Sequence, residues 1–210
     1  QRFLGQQLSQ LFMQVANGVA LQKSKVDLII EVSSTRVHLR SLIEGNKANK
    51  IPAPPTQEIA DQLLKAYSTW VDLEAALTKT IESVTVRVSM VSQVASLSRR
   101  LLTEMSKLVL LYEESCIANE PSVPAYLINI AGRQRMLYQK LSKEACLVKY
   151  GEDAESNWEL LNATTDLFLD VHWKLLLGTP ATSTTPALAK MTHQCFIQQM
   201  KVVADLFSEQ

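Results

Sequence analysis

Two stretches of the sequence carry the same hydrogen-bonding side chains at the same spacing. Arg2, Gln6 and Ser9 recur as Arg135, Gln139 and Ser142, at an offset of 133 residues. On a helix, positions four and seven apart share one face, so each triplet forms a polar stripe. A guanidinium offers a planar fork of donors and stays charged in any environment, which suits the oxygens of a small anion. A carboxamide one turn further on can donate to the same guest or orient the arginine. Beside each stripe runs an apolar one, Leu4 and Leu8 in the first copy, Leu137 and Leu141 in the second. That pairing is what two helices need in order to enclose a small polar guest. The alternative reading is that both stripes are solvated and persist only because the segment was duplicated.

The offset extends well beyond the triplets. Without a gap, Gly18 meets Gly151, Leu28 meets Leu161, Leu42 meets Leu175 and Gly45 meets Gly178, and both copies then enter a proline-containing loop. A duplicated helical hairpin followed by further helices is therefore expected. The counterpart of Thr78 would fall at position 211, so the second copy is expected to be cut short.

Periodicity predicts helices throughout. The first runs over 1–17 and breaks at Asn17-Gly18, because glycine tolerates the left-handed conformation that ends helices. The second spans 21–44 and stops at Gly45. Pro52, Pro54 and Pro55 stiffen the turn that follows, and Thr56 is positioned to cap a third helix reaching Glu82. Residues 83–88 are β-branched but have no candidate partner strand, so they read as a helix junction. A fourth helix continues to about Ile117, and two prolines within 119–124 mark a linker. A fifth helix is expected over 125–149, a sixth over 153–177 and a seventh from about 187 to the end. The fold class is all-α, in tandem antiparallel bundles, with a first unit at 1–118 and a second at 125–210.

Bulk properties narrow the function. The chain has 210 residues, 21 acidic and 21 basic side chains, 47% hydrophobic residues, and few glycines and prolines. Balanced charge excludes long-range attraction of nucleic acid, and the apolar fraction excludes a disordered chain. No phosphate-binding glycine loop, nucleophile elbow or metalloprotease motif occurs, so no enzyme activity and no cofactor are expected. His38, His172 and His193 share no ligand spacing and read as core or surface residues. Cys116, Cys146 and Cys195 read as half-buried thiols. Trp70, Trp158 and Trp173 read as bundle core. No apolar run reaches the length of a spanning helix. The sequence opens without Met, in what reads as mid-helix, so membrane-anchoring and output segments are expected outside it.

The stretch Ile128-Asn129-Ile130-Ala131-Gly132-Arg133-Gln134-Arg135-Met136-Leu137-Tyr138-Gln139-Lys140 resembles the opening helix of PilJ-type sensor domains. It is also similar to the sensing helix of nitrate and nitrite sensor kinases. Gly151, the segment Trp173–Gly178 and the Thr/Pro loop fit the same pattern, and the tandem arrangement resembles double-unit receptors over nearly the whole chain. The first copy departs from the second, with Phe3 for Met136 and Gly5 for Tyr138. The resemblance implies the periplasmic part of a membrane signalling receptor, homodimeric at full length. It implies that Arg2 and Arg135 grip one nitrate or nitrite, assisted by Gln6, Gln139 and the Ala131-Gly132 backbone. It also leaves a second role open, a helical surface that senses a pilus subunit or partner receptor without a small ligand.

Overall fold

The computed structural model describes residues 2–83, 85–120, 125–151 and 153–177, the side chains of residues 2–4 and 176–177 excepted. These form six helices: α1 (Arg2–Ala16), α2 (Leu21–Glu44), α3 (Gln57–Glu82), α4 (Val88–Asn119), α5 (Ala125–Tyr150) and α6 (Ala154–Leu177). The chain is all-α, and its one β-type pairing among described residues is an isolated bridge in the α2–α3 loop. It divides into two compact units, Gln1–Ala125 and Tyr126–Gln210. The seventh helix expected from the sequence lies outside the described residues.

In the first unit, α1 packs on α2, α2 on α3, α3 on α4, and α4 returns to α1, closing a four-helix bundle. Short connections make successive helices antiparallel. Its core is built from Leu8, Phe12, Leu28, Leu39, Leu63, Trp70, Leu73 and Leu77, all at most 2% exposed. On α4 the buried positions Val91, Val94, Ser98, Leu101, Met105 and Leu108 recur alternately three and four residues apart, a coiled-coil-like seam broken once by a serine.

Polar contacts fix the register between helices. Gln62 Nε2 donates to Glu104 Oε2 at 2.7 Å and to the Glu104 carbonyl at 3.0 Å, tying α3 to α4. That amide bond is the main cause holding the Glu104 carboxyl below its ordinary range, opposed by partial desolvation and aided by Lys107. Arg36 Nε donates to Glu74 Oε1 at 2.6 Å and links α2 to α3.

The helix ends have local causes. Thr56 Oγ1 accepts from the Ile59 N–H at 3.2 Å, a side-chain cap, with Glu58 in the first turn where the helix dipole favours negative charge. Gly45 ends α2 at φ +76°, ψ 159°, a conformation only glycine adopts readily. The chain then folds back through reciprocal backbone bonds between Asn46 and Ile51, at 2.7 and 2.9 Å. A Cβ on Gly45 would lie 3.0 Å from the Ala53 nitrogen, so both dihedral and space exclude a side chain. Gly45→Ala is accordingly expected to lower the unfolding free energy by about 1–3 kcal/mol. Urea denaturation measures it, and an unchanged midpoint would contradict the strained role.

The backbone repeats as well. Gly18 and Gly151, equated by the offset, both take positive φ, +71° and +84°. Ala20 and Asp153 are equated too, and both are left-handed without being glycine, at φ 43° and 48°. The following helices, α2 and α6, begin one residue later and end at Glu44 and Leu177, themselves a repeat pair. Shared strain at two non-glycine positions reproduces the duplication in conformation as well as in residue type.

In the second unit, Lys140 on α5 donates from Nζ to Thr164 Oγ1 on α6 and pairs with Glu144 Oε1 at 2.8 Å. Buried positions on α6 are Asn157, Thr164, Phe168, Val171, His172 and Leu175. The tryptophan expectation needs correction here. Trp70 is fully buried, but Trp158 and Trp173 are about half exposed, at 49% and 55%. The buried line of α6 runs through Asn157, Thr164, Phe168 and Leu175, and each indole follows a buried residue, Asn157 or His172, about 100° round the helix from it.

Candidate functional site

In α1, Gln6 and Ser9 lie inside the first bundle, each 1% exposed. Ser9 Oγ donates to the Gly5 carbonyl at 3.0 Å and lies 2.6 Å from Ser98 Oγ on α4. Gln6 Nε2 reaches the same Ser98 oxygen at 3.4 Å. Gly5 faces Leu101 of α4, whose side chain a Cβ there would meet at an ordinary contact distance of 3.4 Å. The stripe of the first copy thus forms a polar knot across the α1–α4 interface. Arg2 starts α1, and its side chain lies outside the described residues.

In α5 the corresponding residues are also interior, but their hydrogen bonding differs. Gln139 is 8% exposed and Ser142 fully buried. Ser142 Oγ and Gln139 Oε1 have no hydrogen-bond partner, nor does either amide atom of buried Gln134. Buried polar atoms without partners cost about 1–3 kcal/mol each, so proteins rarely leave several on one helix. Lys140 and Glu144 turn toward Thr164 on a different side of α5 from Ser142, and Glu144 Oε2 is likewise unpartnered. Arg135 is exposed, while Ala131 and Gly132 are half-buried. The exposed Arg135 therefore lies one turn from Gln139 Oε1 and two turns from Ser142 Oγ, both buried and unsatisfied.

No family model, characterised protein or solved structure matches this chain. The site has to be read from its own geometry. Both stripes are interior at their Gln and Ser positions, which removes the reading that the repeated pattern is merely solvated, while the Arg135 side chain stands in solvent. Gln134 and Ser98 were not singled out from the sequence. Ser98 had a legible signal, a hydroxyl in the seam between Val94, Leu101 and Met105. Gln134 had its place in the repeat, opposite Gln1, and its adjacency to Arg135.

Among the described residues, no group of three His, Cys, Asp or Glu side chains could hold a metal ion. Burial pushes the Cys146 thiol up to about 11, with Lys149 opposing, so it stays protonated near neutral pH. Cys116 is half-buried, Cys146 is buried, and both are unbridged, while Cys195 lies outside the described residues. No helix among the described residues is long and apolar enough to cross a membrane.

Proposed function

We propose that this chain is the sensing region of a membrane signalling receptor and that α5 binds a small oxyanion of the nitrate or nitrite type. One observation carries the reading: two buried side chains with unsatisfied atoms, Gln139 and Ser142, share the helix face of an exposed arginine, and the unsatisfied amide of Gln134 is its neighbour in sequence. Ser142 supplies a hydroxyl donor, and an amide can turn to present its N–H to an anion. Arg135 supplies the charge that draws the anion from solvent, and the half-buried Ala131-Gly132 backbone flanks it. Arg2 and Gln6 hold the equivalent positions in the first copy, where the family resemblance assigns them the same role. Binding would satisfy groups left unmatched in the empty protein and so bias helix packing, which is how a bundle transmits a small displacement. The resemblance adds a periplasmic setting, membrane anchorage through flanking segments and assembly as a homodimer.

A second reading, a protein-sensing surface, has its own observation. Val26, Ile30 and Val37 lie on one face of α2, each more than half exposed, and Leu64 of α3 is exposed to a similar degree. Such an apolar surface suits a pilus subunit or partner receptor. Thermal unfolding in matched concentrations of nitrate, nitrite, chloride and sulfate separates the two. The anion reading expects a rise of a few degrees in nitrate or nitrite alone, because a ligand that binds only the native state stabilises it by mass action. Identical melting in all four salts would favour the protein-sensing surface.

A further inference from the structure

Away from both stripes, the junction of α3 and α4 encloses an open cavity of about 390 Å³ lined by Lys79, Ser83, Thr85, Arg87, Ser89 and Met90. Two cations and three hydroxyls line it, and no carboxylate does. A third cation converges from another helix: Lys25 of α2 donates from Nζ to the Ser83 carbonyl at 3.4 Å. Three positive groups from three segments of the bundle thus meet at one place in a chain whose net charge is zero.

The bonding state of these groups is the informative part. Elsewhere in the described residues, Arg36, Lys107, Lys140 and Lys174 each pair with a carboxylate. The side chains of Lys79, Thr85, Arg87 and Ser89 make no such pair and no side-chain hydrogen bond. Ser83 Oγ already donates to the Lys79 carbonyl at 2.7 Å, which anchors the junction and leaves the other two hydroxyls available. Like charges held around one concavity repel until an anion enters, and an oxyanion can accept from ammonium, guanidinium and hydroxyl at once.

We infer that the α3–α4 junction binds a phosphate group through Lys79, Arg87, Thr85 and Ser89, with Lys25 adding charge at the rim. Phosphate suits the cavity better than a planar monoanion, because its greater charge matches three cations and its tetrahedral oxygens reach donors on several sides. The group could come from a free phosphate compound or from the headgroup of an anionic lipid, and Val88 beside the cavity is more than half exposed.

Two binding assays on the full chain test this: calorimetric titration with inorganic phosphate, and co-sedimentation with phosphatidylglycerol vesicles against phosphatidylcholine vesicles. Phosphate binding supports the site with a soluble source, and retention on phosphatidylglycerol alone supports it with a lipid source. In either case Lys79→Ala/Arg87→Ala is expected to weaken binding by about tenfold or more, as loss of charge-assisted bonds does. Lys79→Arg/Arg87→Lys should keep most of it. Arg135→Ala should leave it unchanged, so the outcome is independent of the proposed site on α5. These side chains are exposed, and circular dichroism checks that the variants fold. Failure to bind phosphate or either vesicle, or binding indifferent to the double alanine variant, would overturn the inference.

Discussion

Replacing Trp70 by alanine is expected to destabilise the first bundle by about 3–5 kcal/mol, the range for removing a large buried aromatic. Trp70 is fully buried on α3, among the core residues of all four helices. Neither the closed ring of helices nor the close-packed interior can collapse into the space its ring leaves. Trp70→Phe should cost much less. It retains a ring, and it removes an indole N–H that has no acceptor in the interior. Urea denaturation followed by circular dichroism, with amide exchange to locate the loss, reads both variants. Protection should fall in α1–α4 for Trp70→Ala. A loss smaller than that of Trp70→Phe would contradict the packing described.

The second large effect is a difference of sign between two positions that the duplication makes equivalent. Ser9→Ala removes a hydroxyl that lies 2.6 Å from Ser98 and should destabilise the chain by about 1 kcal/mol. Ser142→Ala removes a hydroxyl that is buried and has no partner, and should stabilise the ligand-free chain by about 1 kcal/mol. The pair should therefore differ by about 2 kcal/mol in unfolding free energy although residue type, helix position and burial agree. A binding group held unsatisfied costs stability, and removing it recovers stability at the expense of function. Equal destabilisation by both variants would mean that Ser142 has a partner and that α5 holds no place for a guest.

Much of the fold could be read from local signals. Gly18, Gly45 and Gly151 take positive φ where the sequence needed helix stops, and Thr56 caps α3 as its position before Ile59 suggested. The offset linking the two copies could be seen in residue identities, and it reappears in the left-handed Ala20 and Asp153, whose types gave no hint of it. Trp158 and Trp173 misled because hydrophobicity was taken to mark the inner face. On α6 the inner face combines Asn157 and Thr164 with Phe168, Val171 and Leu175, and the two indoles fall beside that line rather than on it. The site was legible only in part. Spacing put Arg135, Gln139 and Ser142 on one face, but a repeated pattern cannot say that one copy closes its hydrogen bonds through Ser98 while the other leaves them open. That difference depends on a residue of α4, far away in sequence.

Calorimetric titration of nitrate into the wild-type chain and into Arg135→Ala tests the central claim most directly. Saturable heat with wild type and none with the variant is the expected result, since loss of the guanidinium removes the charge that balances the anion's desolvation. Undiminished affinity in Arg135→Ala would contradict the assignment of α5 as the anion-binding helix.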